Sequence, residues 1–135
     1  MIAYLDTDIC VFALKNRFPS IQERLQASPP DRIKIPAIVK AELLLGAHQS
    51  RNPAGATHIV EEFLRPFEIV SFCDRCAMSY ARIRSDVERR GVSVGPNDLL
   101  IAATTLANQG TLVTHNTKEY GRISGLSLQD WTQDD

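Results

Sequence analysis

Short apolar runs at 2–5 (IAYL), 33–35 (IKI), 67–72 (FEIVSF) and 111–114 (TLVT), with a weaker one at 126–129, alternate with longer segments of helical periodicity. This alternation limits the fold more than any other feature of the chain. The helical segments fall at 9–15, 20–27, 37–49, 56–65, 74–90 and 97–109, separated by breaks such as SPPD, RNPAG and GVSVGP. Strands joined through helices of this length imply right-handed crossovers and a mainly parallel sheet covered on both faces, an α/β architecture. The chain has 135 residues and shows no repeat or low-complexity segment, so a single domain over 1–135 is expected, with only the tail after Trp131 fraying.

Several classes are disfavoured at once. No stretch approaches the ~20 apolar residues of a membrane span. The first residues lack a basic leader, and Asp6 and Asp8 would interrupt a signal core, so a cytoplasmic protein with no membrane partner is expected. A net charge of -1 means that a polyanion would have to be held by a local basic patch or by metal ions. Three cysteines, an odd number, favour reduced thiols over a disulfide framework. Cys73 and Cys76 form a Cys-x-x-Cys that opens a helix after a strand, a context shared with redox dithiols. Cys76 also recurs with Tyr80, Ile83 and Val87 at helical spacing, which favours a core position. One pair without further Cys or His leaves zinc short of ligands.

In a parallel sheet, function gathers at the edge where strands end. Asp6 stands there after the first apolar run, and Asn116 follows TLVT. The helix that starts near Asn97 must run antiparallel to the strand after it, which puts Asp98 at the same edge. Glu42 lies about 9 Å into its helix at 1.5 Å per residue, within reach because helical side chains lean toward the N-terminus. Asp8 or Thr7 can cap the helix at 9, and Asp98 can answer a helix dipole. Glu42 is harder to explain that way. Its neighbours Ile38, Val39, Leu45 and Gly46 suggest a buried carboxylate without a local partner, which is expensive. Convergence of Asp6, Glu42 and Asp98 on a divalent cation resolves this, and an oxygen-only set without a His cluster favours Mg2+ or Mn2+. Such sites suit hydrolysis of phosphodiesters.

The segments YLDTDICVFALK, IVKAELLLGA and GVSVGPNDLLIAATTLANQGTLVTHNTKEYGRISGLSLQDW, in this order, resemble the PIN-domain ribonucleases, most of all the VapC-type toxins of bacterial toxin-antitoxin pairs. The resemblance covers nearly the whole chain. It implies a Rossmann-like parallel sheet between helices and a metal-dependent endoribonuclease that uses a metal-activated water. Asp6, Glu42 and Asp98 match the family's catalytic metal-binding acids, and Thr7 matches a small hydroxyl beside the first. The family's fourth acid falls in THNTKEY: Asn116 stands where some members carry Asp, and Glu119 where others carry their acid. Asp8 takes a supporting position often filled by Asn. The implied partners are a VapB-type antitoxin whose tail enters the groove beside the acids, an RNA substrate, and a second copy in a homodimer. Relatives of enteric type point to tRNA, in particular the initiator tRNA.

Lys118 and Arg122, in the segment after the active-edge strand, are the candidates for gripping RNA phosphates. Arg82 and Arg89 read as a solvated face, with Arg82 and Asp86 an i,i+4 pair. His115 reads as an exposed or hydrogen-bonded side chain. Three alternatives are a housekeeping RNA-processing nuclease of the same fold, a haloacid-dehalogenase-like phosphatase built on LDTD, and a receiver-like switch with Asp74 as phosphoacceptor. The phosphatase lacks its later acidic motif, and the switch leaves Glu42 and Asp98 unexplained.

Overall fold

In the computed structural model, which describes residues 1–133, the strands β1 (Ala3–Leu5), β2 (Ile33–Pro36), β3 (Glu68–Val70), β4 (Thr111–Val113) and β5 (Ser127–Gln129) pair in parallel in the order β3-β2-β1-β4-β5. All three residues of β1 are buried, as a strand covered on both faces requires. The layers are built by α1 (Thr7–Leu14), α2 (Pro19–Ala27), α3 (Ala37–His48), α4 (Pro53–Leu64), α5 (Asp74–Arg89), α6 (Pro96–Ala107) and α7 (Thr117–Tyr120), with a 3-10 turn at Pro30–Arg32. The α/β architecture with a parallel sheet between helices is the one expected.

Local chemistry explains where the elements depart from the periodic pattern. α1 starts two residues before the expected position, because Asp6 is the N-cap and accepts the Thr7 N–H at 2.8 Å. The expected caps, Thr7 and Asp8, lie inside the helix instead. α4 starts three residues early, since Asn52 accepts the Gly55 N–H at 3.2 Å and Pro53 occupies the first turn. α7 went unforeseen because four residues carry no period. The expected fraying after Trp131 does not begin at once: Thr132 donates both its N–H and its hydroxyl to Asp130, at 2.9 and 2.7 Å. The remainder of that expectation lies outside the described residues.

The winding of the sheet positions the site. The chain runs from β1 outward through β2 to β3, then returns to the other side of β1 with β4 and β5. The reversal opens a crevice between the ends of β1 and β4, where ligands of such sheets bind. Asp6 leaves β1 there, its N–H bonded to Val113 O at 2.9 Å. At the opposite end of β4, a Cβ on Gly110 would stand 2.3 Å from the Tyr4 ring, so only glycine admits this approach. Arg75, in the first turn of α5, donates to Ala107 O at the far end of α6 at 2.8 Å. α6 therefore starts, with Asp98, at the edge where the strands end. Among the described residues no helix is long and apolar enough to cross a membrane.

Candidate active site

Asp6 is 5% exposed, and its two oxygens are held from separate elements. Oδ2 accepts the Thr114 hydroxyl at 2.7 Å, while Oδ1 accepts the Thr7 N–H and lies 3.1 Å from the Tyr120 hydroxyl. That same hydroxyl is 3.0 Å from Asp98 Oδ1. Tyr120 is fully buried and carries one hydroxyl proton, so it serves one carboxylate at a time. Burial raises the Asp6 carboxyl above the usual range against the opposing effect of Thr114, Thr7 and Tyr120. The Asp98 carboxyl is pushed up to about 7, first by burial and then by a hydrogen bond shared with Glu119. The shared bond in turn holds Glu119 below its ordinary range.

Glu119 is fixed by two further donors, the Gly95 N–H at 3.1 Å on Oε1 and Asn116 Nδ2 at 2.8 Å on Oε2. Gly95 lies against both acids, since a Cβ there would stand in ordinary van der Waals contact with Asp98 Oδ2 at 3.4 Å and Glu119 Oε1 at 3.9 Å. Asn116 and Glu119 thus occupy one place together. Glu42 joins from α3: Thr7 donates its hydroxyl to Oε1 at 2.6 Å and Asn97 Nδ2 lies 3.4 Å from Oε2. The expected surroundings of Glu42 need correction, because it is half-buried and partnered, and Leu45 and Gly46 beside it are exposed. Its partners come from other elements, which neighbouring sequence could not reveal.

Asp8 stands apart from this set. It accepts the His115 N–H on Oδ2 at 3.2 Å, while Oδ1 is buried without a protein partner. Burial, then the Asp6 charge, push its carboxyl up to about 7. His115 is exposed and hydrogen-bonded, as expected, with Nδ1 3.0 Å from Asp130. Lys118 is exposed on α7. Arg122 donates to Ser93 O, which commits part of its guanidinium to the loop before α6. Asp86 pairs with Arg90 at 2.9 Å and loosely with Arg89 at 3.8 Å, in place of the expected Arg82. Asp74 opens α5, at the end of the α5–α6 pair away from Asp98, which leaves the phospho-switch reading without a joint site.

Sequence reasoning missed Tyr120, Thr114, Asn97 and Gly95. Among the described residues, no ion pair involves Asp6, Asp8, Glu42, Asp98 or Glu119. Neutral donors, with the Arg122 charge acting on Glu119, hold together an acidic cluster built from four separate parts of the chain. A family model described as the PIN domain matches residues 3–126, the span that contains all of these acids. The chain belongs to the PIN domain family. Within it, the chain is 38% identical to Ribonuclease VapC2 of Rickettsia felis, covering 97% of this chain and 98% of the relative. It is 34% identical to the tRNA(fMet)-specific endonuclease VapC of Salmonella typhimurium, covering 94% and 96%. The fold matches the DNA-bound VapBC structure from Salmonella typhimurium with a TM-score of 0.92 at 33% identity, over 97% of this chain and 98% of that one.

In this PIN domain an apolar groove of about 470 Å³ runs beside Glu42 and Thr7, walled by Val11 and Leu14 of α1 and by Ile59 and Val60 of α4. It opens directly onto the acidic cluster. Among the described residues, no group of three or more His, Cys, Asp or Glu side chains is placed to hold a metal ion as it stands. The donor set nonetheless fits a hard divalent cation: its charged ligands are all oxygens, several are desolvated, and of its acids only Glu119 feels a protein cation, Arg122.

Proposed function

We infer that this protein is an endoribonuclease and the toxin of a toxin-antitoxin pair, acting in the cytoplasm with Mg2+ or Mn2+ held by Asp6, Glu42, Asp98 and Glu119, with Asn116 beside them. The observation that carries the reading is the Tyr120 hydroxyl shared by a buried Asp6 and a half-buried Asp98, brought together without an ion pair from the protein. Bound among these oxygens, the ion supplies the positive charge that activates water and offsets charge building on a scissile phosphate. The chain's own part is positioning. Thr114 and the Thr7 N–H fix Asp6, the Thr7 hydroxyl and Asn97 aim Glu42, and Gly95 and Asn116 fix Glu119. Asp8 acts as a support that ties the exit of β4 to α1, and Lys118 and Arg122 lie on the segment that meets the RNA backbone.

The relatives named above support the substrate and the partner. One is named for initiator tRNA, which makes tRNA the RNA class to test first. Another is a DNA-bound VapBC complex, and the apolar groove beside Glu42 suits the tail of a VapB-type antitoxin. A homodimer completes the assembly. The test is cleavage of initiator and elongator tRNA transcripts by purified protein with Mg2+, and after stripping with EDTA. Cleavage that needs the ion and leaves a 5'-phosphate supports the reading. Full activity without metal, or a 2',3'-cyclic phosphate product, removes it.

A further inference from the structure

Cys73 and Cys76 are not used by the acidic site. They lie where α5 begins, and Arg75 between them bonds the far end of α6 from Asp98. Cys73 is the N-cap residue and half-buried, while Cys76 is fully buried. Their sulfurs are 3.6 Å apart. A disulfide needs about 2.05 Å, so closure asks for roughly 1.5 Å of convergence between two sulfurs already in contact. Cys76 is buried outside the contiguous apolar cluster that holds Ile83 and Val87. Its S–H instead reaches Ser71 O at 3.7 Å.

We propose that Cys73 and Cys76 form an oxidisable dithiol that exchanges with low-molecular-weight disulfides, with Cys73 as the attacking thiol and Cys76 as the resolving one. The Cys73 thiolate attacks one sulfur of the small disulfide and releases the other as a thiol. Cys76 then gives its proton to solvent, and its thiolate attacks Cys73 sulfur and expels the second small thiol. Two protein thiols are oxidised and one disulfide is reduced to two thiols. The order follows from access, since Cys73 reaches solvent and Cys76 does not. It also follows from charge: the Cys76 backbone N–H, then its S–H, hold the Cys73 thiol below the ordinary range, whereas burial raises Cys76. This inference stands apart from the nuclease reading.

The test treats the folded chain, without air, with excess oxidised glutathione, then alkylates free thiols and maps them by mass. The expected product has lost two hydrogens and retains no glutathione, and the Cys73 and Cys76 peptides stay joined after trypsin cuts at Arg75. Cys10, which is fully buried, serves as the control and is alkylated only after denaturation. C76S should stop as a glutathione adduct on Cys73, and C73S should react roughly tenfold or more slowly than wild type. Retained glutathione on wild-type Cys73, or a C73S variant that reacts at the wild-type rate, overturns the proposal. Should a variant expose Cys10 it has lost its fold, and the wild-type map alone decides.

Discussion

Replacing Tyr120 by Phe removes one oxygen from a fully buried side chain and leaves the ring's packing in place. Asp6 and Asp98 lose the one donor they share: Asp6 keeps Thr114 and the Thr7 N–H, and Asp98 keeps only its shared bond with Glu119. A hydrogen bond to a charged group contributes about 1.5–3 kcal/mol. With a melting entropy of about 2.1 cal/mol/K per residue, that loss lowers Tm by roughly 5–11 °C for a chain of this size. The expectation is specific to the metal-free state. When a cation neutralises the acids, the hydroxyl has less charge to satisfy, and the difference between Tyr120→Phe and wild type should shrink.

The assay is thermal unfolding of both proteins near pH 7.5, in EDTA and in saturating Mg2+. A loss of stability that is the same in both conditions would show that Tyr120 is an ordinary buried hydrogen bond, unrelated to cation binding. No loss in EDTA would show that the carboxylates do not depend on it. Either result refutes the reasoning that joins Tyr120 to the acidic cluster.

Glu42→Gln should abolish RNA cleavage while the melting curve stays within about 1 kcal/mol of wild type, because the amide oxygen still accepts from Thr7; unfolding in step with lost activity would make Glu42 structural. Asp6→Asn should be inactive, whereas Asp8→Asn should keep substantial activity on tRNA, since its amide oxygen can still accept the His115 N–H. Asp8→Asn should also gain about 1–2 kcal/mol at pH 8, because a carboxyl raised by burial and the Asp6 charge destabilises the folded state when ionised; equal inactivity of the two folded variants would refute this division. For pH, Asp8 and Asp98 rise from the usual carboxylate value to about 7 in the folded chain. The folded state therefore binds more protons than the unfolded one between about pH 4 and 7, and metal-free stability should fall as pH rises through that window. Mg2+ should raise Tm more at pH 7.5 than at pH 5.5, where protons compete for the same oxygens; a metal effect independent of pH, measured by scanning calorimetry, would count against the site.

The parallel sheet was legible because its strands are too short and too apolar to survive except between helices, and Asp6 stood out as the acid that ends one. Glu42 was legible as an anomaly, though for an incomplete reason. Its helix does carry apolar residues beside it, but Leu45 and Gly46 face outward, and the carboxylate has donors from α1 and α6. Thr114 and Tyr120 were not legible. They lie 108 and 114 residues from Asp6, and α7 is too short to announce which face it buries. Only the pairing of β1 with β4 brings Thr114 beside Asp6, and no local pattern encodes that pairing.

The remaining question is how several carboxylates gather when, among the described residues, no Lys or Arg forms an ion pair with them. Asp6 is the N-cap of α1, Asp98 lies in the first turn of α6, and Glu119 lies in the first turn of α7. Asp6 and Asp98 therefore sit at the positive ends of their helices, a placement that favours negative charge by about 0.3–1 kcal/mol, while Glu119, in a helix of only four residues, is held by the Gly95 N–H and Asn116. Because β1 and β4 both end at the crevice, the helices that follow them start there, and α6 starts there because it must run back to the foot of β4. The same winding that brings the acids together also supplies part of the field that tolerates them. Glu42 is a further exception, as the sixth residue of α3, beyond the first turn. It has the Thr7 hydroxyl at 2.6 Å and Asn97 at 3.4 Å where Asp6 and Asp98 have a helix start. Thr7 thus links Asp6 to Glu42, as Tyr120 links Asp6 to Asp98, giving its N–H to the one and its hydroxyl to the other, and a small hydroxyl side chain at that position is what the geometry demands.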